Sequence, residues 1–201
     1  MAVMLAGGTY ELGPEDGRIE VHTRREGAAS LAGHDLTIAV TRWAATVTVD
    51  VRAPSRSTVT ATADAGSLQV VSAEGGVAPL TEGQRADIAR NVREAVLHSA
   101  RHRDIVFTST AVDGDLRAGV LTGDLTLVGR TRSVAFDVVV AASRGATTKV
   151  TATAAIAQTE FGITPYSALL GALRVRDVVH LSITVHLPTR SRPARPARPR
   201  P

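Results

Sequence analysis

Along most of this chain, every second residue is apolar. Ile19 and Val21 alternate with Arg18, Glu20 and His22, and Leu36, Ile38 and Val40 follow Gly33-His34-Asp35 in the same rhythm. Val47, Val49 and Val51 alternate with Thr46, Thr48 and Asp50; after a turn at Ala53-Pro54-Ser55, Val59, Ala61 and Ala63 do so with Thr60, Thr62 and Asp64. Leu68 to Ser72 is shorter and less regular. A period of two places one face of each segment in a core and the other in water, the signature of half-buried strands. The pattern resumes at Ile105–Ser109, Leu121–Leu127, Val134–Val140, Val150–Ile156 and Val179–Val185. Asp113-Gly114 and Gly129-Arg130-Thr131 supply turn signals between these runs. Strands this closely spaced argue for a barrel or sandwich rather than alternating strand–helix units. A strong final strand suits closure against the N-terminal strands, because closure leaves no exposed edge. The fold class expected is mainly β: an antiparallel barrel of about eight strands.

One stretch breaks the alternation. Thr81-Glu82-Gly83-Gln84 reads as a capping box, in which the threonine hydroxyl accepts from the backbone three residues on and the glutamine reaches back. Ala86, Ile88, Ala89, Val92 and Val96 then recur at helical spacing, with Arg85, Arg90, Arg93 and Glu94 mostly on the wet side. The spacing predicts one long helix over about 82–99, packed on a mouth of the barrel.

At 201 residues the chain fits one domain, and 44% hydrophobic residues are enough to bury a core. Aromatics are only 3%, so Ala, Val, Leu and Thr supply the bulk. Small inward side chains either pack tightly or leave a lumen. There is no cysteine, which removes disulfides and thiolate metal sites. No apolar run reaches the ~18 residues of a membrane span, and Met1–Tyr10 lacks a signal-peptide pattern, so a cytoplasmic location is expected. The sequence pI near 10.5 is a property of one end. Of 23 basic residues five are arginines within 188–201, which holds none of the 19 acids, so the rest carries 18 against 19. The domain, 1–187, is therefore not a basic nucleic-acid binder, and 188–201 is expected to be a disordered Arg/Pro-rich tail.

Four segments carry a family resemblance. Leu121-Thr122-Gly123-Asp124-Leu125-Thr126-Leu127-Val128-Gly129-Arg130-Thr131 resembles the L-T-G-x-L-T-x-x-G-x-T signature of the YceI-like family. Arg103 to Ser109 after the helix is similar to that family's step into its next strand, Glu160-Phe161-Gly162-Ile163 to its D-F-G-I element, and Val175 to Val185 to its closing strand. The match runs in order over roughly residues 8–187. The resemblance implies a lipocalin-like barrel with a packed helix, and an elongated apolar lumen that holds an isoprenoid-type lipid, a polyprenyl chain or isoprenoid quinone, polyprenyl phosphates included. Two positions depart from the pattern: Gly33-His34-Asp35-Leu36-Thr37-Ile38 replaces the usual N-terminal motif, and Gln158 stands where an arginine is usual. Head-group preference is where those departures would act.

The residues expected to line the lumen or its mouth are His34, Leu36, Ile38, Phe107, Leu125, Phe136, Phe161, Tyr166, Leu169 and Leu170. The last four belong to the apolar, glycine- and proline-broken segment Phe161–Leu173, which reads as a loop over the mouth. Each has a plainer reading as core or plug. His34 beside Asp35 is also an acid/base pair on paper, which would suit an isomerase or hydrolase. His98 and His102 have helical i,i+4 spacing but no third ligand in view, so no metal and no cofactor is expected. No nucleophile motif occurs, and Gly75-Gly76 lacks the lysine of a phosphate-binding loop. The expected function is non-enzymatic binding, carriage or sequestration of an isoprenoid-type lipid; the alternative is a filled barrel serving as a stress-response or interaction module. Transient membrane-surface contact through the Arg-rich tail is an added expectation, specific nucleic-acid binding is not, and a homodimer is compatible with the sequence.

Overall fold

The structure, a computed structural model, describes residues 5–141 and 147–188. The tail expected over 188–201 lies outside them apart from Pro188, which closes the last strand.

The strands are β1 Gly8–Leu12, β2 Gly17–His22, β3 Arg25–Glu26, β4 His34–Val40, β5 Trp43–Val49, β6 Thr58–Asp64 and β7 Leu68–Gly75. The helix α1, Glu82–Asn91, follows. Then come β8 Asp104–Gly114, β9 Ala118–Leu127, β10 Arg130–Val140, β11 Thr147–Ala157, β12 Ser167–Ala168, β13 Leu173–Val175 and β14 Val178–Pro188. Eleven of them form one antiparallel sheet in the order β1-β5-β6-β8-β9-β10-β11-β14-β2-β4-β7, and β12-β13-β3 form a second.

That order closes a ring. β1 with β2, β4 with β5, and β6 with β7 are each one arm broken by a bend, so both halves of one arm pair with both halves of the next. Three bent arms and the single strands β8, β9, β10, β11 and β14 make eight staves. The final strand β14 pairs with β2, from Val185 opposite Gly17 to His180 opposite His22. A side chain at Gly17 would overlap the Thr184 carbonyl, so this seam needs glycine for its close backbone approach.

The bends carry their own hydrogen bonds, which is why the alternation slips there. Ser67 Oγ donates to the Asp64 carbonyl at 2.7 Å and accepts from the Arg42 N–H at 3.1 Å, while Thr41 Oγ1 donates to the Ser67 carbonyl at 2.8 Å. Side chains thus replace ladder bonds where the arms turn. Asp64 also accepts from Gly66 N–H at 2.7 Å and pairs with Arg42 at 2.9 Å and Arg103 at 3.3 Å. Val40 and Trp43 both point inward across Thr41-Arg42, as do Ala63 and Leu68 across the second bend.

The capping box forms as the sequence predicts: Thr81 Oγ1 accepts from Gln84 N–H at 3.2 Å, and Gln84 Oε1 accepts from Thr81 N–H at 2.9 Å. The helix is shorter than the predicted 82–99. It gives way to a π-helical turn over Val92–Val96, where Leu97 N–H reaches back to the Val92 carbonyl at 2.9 Å. The wider turn brings Val92, Val96 and Leu97 together against the barrel core. Arg93 anchors the same turn by donating to the Leu68 carbonyl at 2.8 Å. No helix among the described residues is long and apolar enough to cross a membrane.

Candidate functional site: the barrel lumen

A closed eight-staved barrel has an interior that side chains either fill or leave wide enough for one small ligand. Here small residues leave it open. Ala45 on β5, Ala61 and Ala63 on β6 and Ala152 on β11 occupy inward positions, and the cavity they border has a volume of about 760 Å³. That lies within the ~300–1,000 Å³ usual for ligand sites. The cavity runs the length of the barrel, from Val49, Pro54 and Leu116 at one end to Ala32, Tyr166 and Leu173 at the other. Its wall also explains the burial pattern: inward Leu181, Ile183 and Val185 are only half-buried because they face open space. The interior is therefore not filled by the protein's own side chains.

The second small sheet and α1 frame one mouth. β3 and β13 pair through Glu26 opposite Arg174 and Arg25 opposite Val175. Ala29 N–H donates to the Ala172 carbonyl at 2.8 Å, tying the 3-10 turn Ser30–Ala32 to the same corner. The mouth-loop expectation for 161–173 corresponds to a more ordered segment than a plain loop, containing β12, a 3-10 turn Leu169–Gly171 and the start of β13.

Seven of the ten expected site residues line the cavity: His34, Leu36 and Ile38 from β4, Phe107 from β8, Leu125 from β9, Phe136 from β10, and Tyr166 from the mouth segment. Phe161 is 1% exposed and sits in the core behind the wall, at the end of the 3-10 turn Gln158–Phe161. Leu169 and Leu170 project into solvent beside the mouth, Leu170 fully exposed. Both hold left-handed backbone angles, φ 52° and 54°, ahead of Gly171 at 90°.

His34 and Asp35 point apart, as neighbours on a strand must. The imidazole Nε2 is 2.9 Å from the Ala78 carbonyl, while the Asp35 carboxylate accepts from the Arg25 N–H at 2.8 Å and pairs with Arg24 at 3.0 Å. Desolvation raises the Asp35 pKa, but the backbone N–H of Arg25 and the Arg24 guanidinium outweigh it and hold the carboxyl below its ordinary value. The two side chains do not form the acid/base pair that their adjacency suggests. Among the described residues no three His, Asp or Glu side chains converge to hold a metal ion.

Lining residues that the sequence reading missed are Trp43, Arg25 and Arg174, with Asp87 and Asn91 from α1. Trp43 was legible from parity, two residues before inward Ala45. The arginines were not, because β3 and β13, which carry them, are too short to show a period.

The four resembling segments meet in space. Gly123 lies beneath Phe107; Arg130 packs over Gly162, where a side chain would come against its guanidinium. Thr159 Oγ1 donates to Asp177 at 2.6 Å, and Gln158 Nε2 donates to the Arg176 carbonyl at 2.9 Å. Gln158 itself lines the cavity.

Solved structures share this architecture. BcnA of Burkholderia cenocepacia superposes with a TM-score of 0.63 at 16% identity, over 85% of this chain and 95% of that one. The YCEI protein of Campylobacter jejuni gives 0.53 at 18%, over 77% and 85%. A polyisoprenoid binding domain from Saccharophagus degradans, implicated in plant cell wall breakdown, gives 0.56 at 8%, over 90% and 98%. At these identities the likeness is one of fold. No curated protein matches the sequence. The sequence model of the YceI-like domain matches residues 10–187, nearly the whole described barrel, and the chain belongs to the YceI-like domain family.

Proposed function

We propose that the protein binds an isoprenoid-type lipid, a polyprenyl chain or isoprenoid quinone, in the barrel lumen, and carries or sequesters it without catalysing a reaction. The carrying observation is the apolar cavity of about 760 Å³ along the barrel axis. The likeness in fold to a polyisoprenoid binding domain supports the same reading. So does the family, to which the pattern of four motifs belongs.

The energetics allow it. Burying ~500 Å² of an apolar tail at ~25 cal/mol per Å² is worth roughly 12 kcal/mol. Association and ordering of the tail cost ~4–15 kcal/mol, which at the low end leaves about 8 kcal/mol, enough for micromolar binding. Side chains already ordered in the wall reduce that cost. His34, Leu36, Ile38, Phe107, Leu125, Phe136 and Tyr166 are the contacts proposed for the ligand, and Leu169 and Leu170 the residues that flank its path.

Mass spectrometry of a solvent extract of the purified protein, combined with titration of the stripped protein with a polyprenol and an isoprenoid quinone, tests the proposal. A co-purified isoprenoid, or saturable binding of either probe, is expected. No extracted lipid together with no binding of either probe overturns it.

A further inference from the structure

The apolar lining of the lumen does not stop at the mouth. Four side chains from three separate segments carry it outward: Leu31 in the 3-10 turn Ser30–Ala32, Val77 after β7, and Leu169 and Leu170 ahead of β13. Leu31 is 80% exposed, Val77 87%, Leu169 61% and Leu170 fully. The segments meet at one opening. The turn of Leu31 is tied to the Ala172 carbonyl through Ala29 N–H at 2.8 Å. On either side of Val77, Gly76 lies against the His34 ring and the Ala78 carbonyl is 2.9 Å from its Nε2. Half-exposed Tyr166 joins these tips to the cavity, which it lines. Leu169 and Leu170 hold left-handed backbone angles that a side chain disfavours, and neither is buried, so no core contact offsets the strain. An exposed apolar pair kept in a strained backbone points to a contact outside the chain.

The charges around the tips come as mixed pairs with the arginine outermost. Arg24 is 57% exposed against 22% for its partner Asp35, and Arg174 and Arg176 are 56% and 61% exposed against 42% for the Glu26 they share. Arg25 belongs instead to the lumen wall, its guanidinium over Gly75 and attracted by Asp35. Guanidinium groups set outside carboxylates, beside apolar tips, match a layer of phosphates above acyl chains. Exposed Glu74 and Glu160 offset part of that charge, so the apolar tips carry more of the attraction than the arginines do. Tips spaced around an open lumen form a ring, which a fluid apolar phase covers at once. A second copy docked rim to rim would set arginines against arginines.

We infer that the protein docks this mouth on a lipid bilayer, with Leu31, Val77, Leu169 and Leu170 at the boundary of head groups and acyl chains and Arg24, Arg174 and Arg176 at the level of the phosphates. The inference rests on the lumen reading above and adds to it the surface at which an apolar ligand passes between bilayer and barrel without crossing water.

Sedimentation of the full chain with phosphatidylcholine vesicles at raised salt tests it, since zwitterionic lipid and salt suppress attraction through the arginine-rich tail. Saturable binding is expected. Leu31→Ser combined with Leu170→Ser is expected to weaken it about tenfold or more, because both leucines then lose their burial in the bilayer. Val139→Ser, at an exposed position on β10 near the other end of the barrel, is expected to bind as the unaltered protein does. Circular dichroism of each variant checks that the fold is kept. No sedimentation of the unaltered protein, undiminished binding by the folded double variant, or an equal loss in Val139→Ser overturns the docking inference. So does dimerisation that the double variant abolishes without any vesicle binding, which assigns the surface to a second copy. A protein that binds a polyprenol in solution but no vesicles loses the docking inference alone; one that binds vesicles but neither a polyprenol nor a quinone loses the lumen reading.

Discussion

Phe107 on β8 and Phe136 on β10 meet edge to face, their ring centroids 5.3 Å apart at 80°, although a whole strand lies between them. They reach each other because β9 presents Gly123 at the intervening inward position, with Leu121 and Leu125 on either side of it. A Cβ at Gly123 would collide with the Phe107 ring and stand 2.5 Å from the Thr108 carbonyl. The glycine of the L-T-G segment is therefore an opening for an aromatic pair. Such a pair contributes ~0.5–1.5 kcal/mol beyond its burial.

Gly123→Ala is accordingly expected to destabilise the fold by about 1–3 kcal/mol, the usual cost of overpacking. Urea unfolding measures it. Adding Phe107→Leu should recover part of the loss; strict additivity in that double-mutant cycle would show that the ring is not the source of strain.

The single tryptophan, Trp43, is 8% exposed and forms part of the cavity wall. Titration with an isoprenoid quinone should quench its emission in a saturable way. A flat titration, with the same quinone shown bound by equilibrium dialysis, would place the ligand away from this wall.

Ala45 faces Ala61 across β5 and β6, and both line the lumen. Ala45→Phe should fill the space between them, leave the circular dichroism spectrum unchanged, and weaken isoprenoid binding about tenfold or more, since roughly 1.4 kcal/mol of lost contact suffices. Unaltered affinity in the folded variant would argue against an occupant at this level of the barrel.

Asp64 governs acid sensitivity at the bend. Desolvation there raises its pKa, but the Arg42 guanidinium, the Gly66 N–H and Arg103 together outweigh it, so the carboxyl titrates below its ordinary value. A carboxyl with a depressed folded pKa stabilises above its unfolded value of ~3.9 and loses that contribution as pH falls through the folded pKa. Asp64→Asn should cost ~1–2 kcal/mol near neutral pH. Below about pH 4 the difference from the unaltered protein should narrow. A constant difference between thermal melts at the two pH values would contradict this.

Leu170 is fully exposed at φ 54°, where a side chain costs ~1–2 kcal/mol. Glycine removes that strain and returns ~0.5–1 kcal/mol to chain entropy. Leu170→Gly is expected to raise the melting temperature by ~1–2 °C. A fall would mean that the leucine makes a stabilising contact.

Much of this was legible in the alternation. The inward faces of β2, β4, β6, β9, β10 and β14 follow directly from it, and so do Leu36, Ile38 and Leu125 in the wall. The capping box fixed the helix start at Thr81, but the π-helical turn that ends it depends on Arg93 reaching Leu68, a tertiary bond. The arm bends at Thr41-Arg42 and Asp64–Ser67 were hidden for the same reason, since Ser67 and Asp64 hold them through side-chain bonds across strands. Arg25 was unreadable because its seat is made by Gly33 and Gly75, residues near it only after folding. Phe161 shows the converse limit: an apolar residue in the right segment was indistinguishable by pattern from one in the wall.

The seam between β2 and β14 sets a folding order. It joins residues about 160 positions apart, His22 to His180, whereas the arms β4–β5 and β6–β7 pair nearly as hairpins. Contacts of such high contact order form late and slowly. During synthesis β2 therefore waits with an unpaired edge until β14 has left the ribosome, and that interval is when a growing chain is most open to pairing with a neighbour.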